Sequence, residues 1–249
     1  MDNTIFKHQV QWNPWAGCHK VSAGCKNCFI DREEFIFRGL DKTMPRMPLG
    51  TIFVMLASDF FLEEADKYRL AAWRCIKNNP NYIFLLITKR IERFYNNLPE
   101  DWGDGYNNVI ISVSIENQQV ADTRLSLLKA IPAKHKWVSA APMIGPINIL
   151  NYLQEHFIEH IEVTGEKAIG AAKNSDVREL RYEWVEDLSN QCKQTNTKFS
   201  FMSCGSKFRY NNKTFNDHCA CYRSCLAQGL ELDVNIPVKF ELQDGIIEL

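Results

Sequence analysis

Cys18, Cys25 and Cys28 stand in a C-x6-C-x2-C arrangement inside the stretch Trp12-Asn13-Pro14-Trp15-Ala16-Gly17-Cys18-His19-Lys20-Val21-Ser22-Ala23-Gly24-Cys25-Lys26-Asn27-Cys28-Phe29. A glycine precedes each of the first two thiols, and Pro14 with two tryptophans leads into them, so the stretch reads as a tight loop that aims three thiolates at one point. Three thiolates fill three corners of a cubane iron–sulfur cluster and leave one iron open, whereas a structural zinc usually takes four ligands and is closed. His19 adjoins Cys18, and neighbouring residues rarely reach one tetrahedral ion together. The plainer readings of the loop are a zinc knuckle or a set of free thiols.

A second group follows near the other end: Cys204, Cys219, Cys221 and Cys225, with His218 beside it. Four cysteines can close a site, which suits an auxiliary iron–sulfur cluster or a structural zinc; the alternative is unrelated cysteines in a variable tail. Cys75 and Cys192 fall on apolar helical faces and read as core residues. His8, His135, His156 and His160 have no partner visible in the sequence.

The elements that must position these thiols are legible as apolar runs. Ile52–Ala57, Tyr82–Ile87 and Val109–Ile115 come first, then Trp137–Ser139, His160–Val163 and Phe199–Met202. Each is short, rich in β-branched or aromatic residues and apolar nearly throughout, the mark of strands buried on both faces as in parallel sheets. Between them lie helical stripes: Leu180, Trp184, Leu188 and Cys192; Val120, Leu127, Leu128 and Ile131 behind a cap at Asn117; and a segment from Glu63 to Asn78 that stops before Asn79-Pro80. Strand and helix alternating at roughly 25–35 residues is the pattern of a barrel or doubly wound sheet. A first strand around Phe6 to Gln11 would put the cysteine loop at a strand's C-terminal end, where active sites of parallel α/β folds form. After Gly205 the order changes: 206–217 is polar and without periodicity, and Val238–Leu249 alternates around Asp244-Gly245 as a small hairpin.

With 249 residues the chain can bury a sizeable core, and its formal net charge of -1 announces no broad basic face for nucleic acid. Nine cysteines without a visible signal peptide or membrane-length apolar run read as reduced, cytoplasmic thiols that bind metal more often than they pair.

The cysteine stretch resembles the phage-associated three-cysteine-motif family, a branch of the radical SAM superfamily. Trp12, Asn13, Pro14, Trp15, Gly17, Cys18, Lys20, Val21, Ser22, Gly24, Cys25, Asn27 and Cys28 carry the likeness. It continues through Ser58-Asp59-Phe60-Phe61, Leu86-Ile87-Thr88-Lys89-Arg90, Ser112–Asn117 and Pro142–Pro146, and so covers most of residues 10–200. The chain departs from the superfamily's common C-x3-C-x2-C spacing, and Phe29 follows the last cysteine instead of an aromatic preceding it. The usual glycine-glycine-glutamate is Thr164-Gly165-Glu166 here, and the usual lysine-glutamine-tryptophan is Met202-Ser203-Cys204.

The resemblance implies a partial or full (β/α) TIM-like barrel of radical SAM type over residues 1–203, with a cysteine-bearing extension over 204–249. It implies a [4Fe–4S] cluster on Cys18, Cys25 and Cys28 whose open iron chelates S-adenosylmethionine. One electron from a flavodoxin- or ferredoxin-type donor would release a 5′-deoxyadenosyl radical that abstracts a substrate hydrogen. By position, Ser58 and Asp59 would meet the methionyl ammonium, Lys89 and Arg90 its carboxylate, and Ser114 or Glu116 the ribose. The implied substrate is a nucleotide or nucleobase, or else a peptide, since auxiliary clusters accompany peptide-modifying members. The bland counterparts are a solvated Lys89-Arg90 pair and a helix cap at Ser58-Asp59. Lys207, Arg209, Lys213 and Arg223 make the tail basic, which suits a phosphate-bearing substrate. A different class of reading is a non-catalytic module with structural zinc or Fe–S sites that could serve nucleic-acid recognition.

Overall fold

The computed structural model describes residues 9–28, 30, 34–40, 46–168, 176–216 and 220–249, the side chains of 220–223 and 225 excepted. The strands in chain order are β1 (Gln9–Gln11), β2 (Trp15–Ala16), β3 (Ile36–Phe37), β4 (Ile52–Val54), β5 (Ile83–Thr88), β6 (Val109–Ser114) and β7 (His135–Ala140). They continue as β8 (His160–Thr164), β9 (Leu180–Arg181), β10 (Lys198–Ser203), β11 (Lys207–Tyr210), β12 (Lys213–Asn216), β13 (Lys239–Leu242) and β14 (Gly245–Glu248). The α-helices are α1 (Asp66–Lys77), α2 (Gln118–Ala130), α3 (Leu150–Leu153), α4 (Tyr182–Thr195) and α5 (Ala220–Gly229). Seven strands form one parallel sheet in the order β1-β4-β5-β6-β7-β8-β10, a mixed α/β half-barrel consistent with a partial TIM-like fold. Among the described residues no helix is long and apolar enough to cross a membrane.

The continuous apolar runs are explained by burial of both strand faces. Alternate residues Phe53, Phe84, Leu86, Ile111, Val113, Val138, Ile161, Val163, Phe199 and Phe201 join the core that includes Trp73 and Ile76 of α1, Leu125 and Leu128 of α2, and Leu188 and Cys192 of α4. Their neighbours Ile52, Val54, Ile83, Leu85, Ile110 and Trp137 form a second core with Val238, Phe240 and Leu242. The hairpin β13–β14 thus packs on the sheet's other face. Lys198 on β10 fastens this region, its Nζ donating to Ile236 O and Leu249 O at 3.1 Å each. Phe240 is fully buried, 4.0 Å from His135 and 6.5 Å from Trp137 between ring centroids. Phe240→Ala is expected to cost about 3 kcal/mol in urea unfolding, because the void is walled by strands that cannot collapse.

Three details differ from the sequence expectation. Segment 206–217, expected to lack regular structure, contains the hairpin β11–β12: Asn211 and Asn212 take positive φ (50° and 59°) in its two-residue loop, the geometry short polar side chains tolerate. In the terminal hairpin Leu242 pairs with Gly245, so the loop is Gln243-Asp244 and Gly245 already begins the return strand. Leu180, placed on a helical stripe with Trp184 and Leu188, lies instead on β9 beside Phe208, and α4 begins at Tyr182. The first strand spans Gln9–Gln11, and residues 6–8 lie outside the described set. The cap at Asn117 is present, its Oδ1 accepting from Val120 N at 3.1 Å.

Candidate functional site

The cysteine loop is sewn across the C-terminal ends of the parallel strands, and its sequence explains how. Trp12 is buried edge-on against Phe84 with ring centroids 5.1 Å apart. Asn13 Oδ1 accepts from Leu56 N (3.0 Å) and Ala57 N (2.8 Å) just beyond β4. Trp15 is buried and its Nε1 donates to Asp59 O at 3.2 Å. Gly17 N donates to Ala57 O, and Gly17 takes a φ of +95°; a Cβ there would lie 2.2 Å from Glu34 O, so only glycine fits. The chain then turns through a 3-10 segment, Ala23–Cys25, and brings Cys28 N to Cys25 O.

Three carboxylates placed after alternate strands hold this loop. After β4, Asp59 is buried and accepts four hydrogen bonds: from Phe61 N (2.9 Å) and Thr88 Oγ1 (2.7 Å) at Oδ1, and from Lys89 N (2.8 Å) and Arg90 Nη1 (3.2 Å) at Oδ2. Arg90, also buried, donates onward to Cys18 Sγ (3.5 Å) and His19 O (3.0 Å). After β6, Glu116 accepts at Oε1 from Ser22 Oγ (2.6 Å), Arg124 Nη1 (3.3 Å) and Lys89 Nζ. Gly24 lies so close that an added Cβ would sit 2.3 Å from Glu116 Cγ. After β8, Glu166 accepts from Asn27 Nδ2 (2.9 Å) and from Arg178 N (2.8 Å), and pairs with the Arg178 guanidinium. Ser58 Oγ completes the stitching by donating to Gly17 O at 2.5 Å.

Beneath the loop lies a cavity of about 460 Å³. Cys18, Cys25 and Cys28 all line it as free thiols, together with Ser58, Asp59, Lys89, Arg90 and Ser114. Glu116 is not on the lining; it lies fully buried behind it, and its Oε2 has no hydrogen-bond partner among the described residues. The rest of the lining mixes apolar residues, Met55, Leu56, Ile87, Ala141 and Pro142, with polar ones, Ser139, Glu162, Thr164 and Glu166. Burial pushes the Cys18 thiol above its ordinary range against the pull of the Arg90 guanidinium, and burial likewise raises Cys28. Burial alone would lower Arg90; Asp59 and Cys18 outweigh it and hold the guanidinium charge firmly in place. Among the described residues no three His, Cys, Asp or Glu side chains are gathered closely enough to ligate a single metal ion. Ligands of a cluster bind different irons and stand farther apart than those of one ion.

The structure therefore brings the three thiols, Ser58, Asp59, Lys89, Arg90 and Ser114 to one cavity. Asp59 and Arg90 are bound to each other, and Lys89 to Glu116. His19, next to Cys18, pairs with Glu64. Of the second cysteine group, Cys204 is buried at the end of β10 and burial pushes its thiol up to about 12. Cys219, His218 and the side chains of Cys221 and Cys225 lie outside the described residues; Cys221 and Cys225 are on α5, which packs against β10. Lys207, Arg209 and Lys213 sit on the small β11–β12 hairpin. The sequence reading gave no role to Glu162, Thr88, Arg124 or Arg178. Glu162 carried a signal: it is an acid at an alternate position of an otherwise apolar run.

Fold and site together define a parallel α/β half-barrel with a cysteine-lined cavity at its C-terminal rim. The chain belongs to the family described as Protein of unknown function (DUF5131), whose model matches residues 38–233; the cysteine loop precedes that span. No curated protein and no solved structure matches the chain.

Proposed function

We propose that the chain is a radical S-adenosylmethionine enzyme acting on a nucleotide, nucleobase or peptide in the cytoplasm, with a flavodoxin- or ferredoxin-type electron donor. The observation that carries this is three free thiols from one loop lining a single cavity at the C-terminal ends of parallel strands. Cys18, Cys25 and Cys28 would hold a [4Fe–4S] cluster, and the donor set fits it: three thiols line one cavity, and Arg90 points a cationic donor at Cys18 Sγ that opposes the effect of burial on that thiol. When bound, the cluster and S-adenosylmethionine supply a one-electron C–S cleavage that yields a 5′-deoxyadenosyl radical. The chain's part is to bind and orient. Lys89 and Ser114 face the cavity as a cation and a hydroxyl. Asp59 fixes the backbone at Lys89 and the guanidinium of Arg90, and Glu116 fixes Lys89 Nζ from behind. This sharpens the roles implied by family resemblance: Asp59 and Glu116 act on their neighbouring cations. Cys204, Cys219, Cys221 and Cys225 would hold a second cluster or a zinc.

Anaerobic reconstitution should give a brown protein with about four irons at the first loop. Dithionite should then convert S-adenosylmethionine to 5′-deoxyadenosine, and Cys25→Ala should abolish that conversion. Iron or zinc that persists in Cys25→Ala reports the second site. Protein that carries only zinc and yields no 5′-deoxyadenosine overturns the proposal in favour of a non-catalytic metal-binding module.

A further inference from the structure

The acids around the cavity are not equivalent. Asp59, Glu116 and Glu166 are each ion-paired, to Arg90, to Lys89 and Arg124, and to Arg178. Glu162 forms no ion pair among the described residues; its one hydrogen bond is at Oε1, from Ser139 Oγ at 2.7 Å. Lys167 also lines the cavity but has contacts of its own and acts on Glu162 only through space. Glu162 and Ser139 are register partners on β8 and β7, two residues along from the pair Trp137 and His160. Trp137 belongs to the core that the terminal hairpin closes, so Ser139 and Glu162 stand in the next row above it, at the floor of the cavity. His160 beneath is fully buried, pushed down to about 3 and therefore neutral. Leu56 and Ile87 continue the apolar inner rows of β4 and β5 into the same cavity.

Burial raises the Glu162 carboxyl above its ordinary range, toward the neutral form, against the opposing pulls of Ser139 and Lys167. A neutral carboxyl presents an O–H beside a carbonyl. With Ser139 occupying one lone pair of Oε1, the other lone pair and the Oε2 hydroxyl remain free to face the cavity. That edge is complementary to an N–H adjacent to a C=O, and the apolar residues of the lining suit an uncharged group.

We propose that Glu162 and Ser139 form a recognition subsite for an amide or lactam edge of the substrate, paired through two parallel hydrogen bonds at the floor of the cavity. The assignment rests on the reading above only in calling the occupant a substrate. Such an edge comes from a nucleobase or from a carboxamide, and the experiment separates the two. Uridine and guanosine on one arm, and N-acetylglutamine amide on the other, are titrated into the full chain by calorimetry. The wild type is expected to bind one arm. Glu162→Leu should weaken it about tenfold or more, since two hydrogen bonds go with no replacement. Glu162→Gln should stay within about threefold, because a carboxamide offers the same donor and acceptor side by side. Ser139→Ala should lie between them. Failure of all three probes to bind the wild type overturns the proposal, as does equal binding by Glu162→Leu. A Glu162→Gln variant as weak as Glu162→Leu also overturns it, since that pattern belongs to an ionised carboxylate holding a cation. Cleavage of S-adenosylmethionine is measured alongside: its absence with probe binding intact counts against the enzyme reading alone.

Discussion

Asp59→Ala is expected to lower the unfolding free energy of the metal-free chain by about 4 kcal/mol, read as a shift of the urea midpoint at unchanged slope. The side chain is 5 % exposed and accepts four hydrogen bonds from two separate segments, Phe61 and Thr88–Arg90. Removing it leaves the Arg90 guanidinium, itself 3 % exposed, without its buried acid; among the described residues only Glu63, half exposed, remains as an acid partner, at 3.5 Å. A buried charge that loses its partner costs about 3–5 kcal/mol. The donors at Thr88 Oγ1 and at the amides of Phe61 and Lys89 each lose a bond, at about 1–3 kcal/mol apiece before relaxation, and these losses do not add. Asp59→Asn keeps the shape and one acceptor and should cost about half as much. A loss below about 1 kcal/mol for Asp59→Ala would show that Arg90 finds another acceptor and that the pair is not what fixes the strand ends. Because Arg90 also reaches Cys18 and His19, the same substitution should speed thiol labelling at Cys18.

The parts of this molecule that were legible in the sequence are those whose physics is local. Ile83–Thr88 and Val109–Ser114 show as strands because burial on both faces demands apolar residues at nearly every position, and Asn117 shows as a cap because one side chain meets one amide three residues on. The three thiols announced a shared site through spacing alone. What was not legible depends on partners far along the chain. Asp59 looks equally like a helix cap or a ligand until Arg90, 31 residues away, is seen against it. Glu116 reads as a polar residue at a strand end; its contact with Gly24, 92 positions earlier, follows from how the loop lies over the barrel mouth. The hairpin at Asn211-Asn212 was missed for a different reason. Its strands are short and their exposed faces polar, so hydropathy carries no alternation, and the only cue was a pair of residues tolerant of positive φ.

The three paired carboxylates have a common logic. Trp12 and Trp15 bury the entry to the loop, but the segment from Gly17 to Cys28 that carries the thiols has no large apolar side chain to bury, and its thiols must keep fixed positions. Each carboxylate follows an alternate strand, β4, β6 or β8, and each acts on a different portion of the loop: Asp59 through Arg90 on Cys18 and His19, Glu116 on Ser22 and Gly24, and Glu166 on Asn27. Pairing each acid with an arginine or lysine from the scaffold lets charge be buried at the rim without leaving it uncompensated.

Glu116→Ala tests the middle of these anchors most directly. The side chain is fully buried; Lys89 and Arg124 converge on its Oε1 with Ser22 Oγ, and its methylenes fill the space left by the missing side chain of Gly24. The substitution removes both the charge and the support, and a loss of about 4 kcal/mol is expected. Cys25, 6 % exposed in the intact loop, should react faster with a disulfide reagent, by about tenfold for each 1.4 kcal/mol lost from local opening, with the site located by mass spectrometry. Glu116→Gln separates the two contributions. It keeps the methylenes under Gly24 but removes the charge, so stability should fall while the labelling rate of Cys25 rises less. Acid provides a further check. Burial alone would raise the Glu116 carboxyl, but Lys89, Ser22 and Arg124 outweigh it and hold the folded value below the ordinary 4.5. The unfolded chain therefore takes up the proton first, and the contribution of Glu116 is fully present above pH 4.5 and lost as pH falls below it through the folded value. Glu116→Gln should flatten the pH dependence of stability in that window. Unchanged labelling of Cys25 in Glu116→Ala would mean that the loop is held by Asp59 and Glu166 alone.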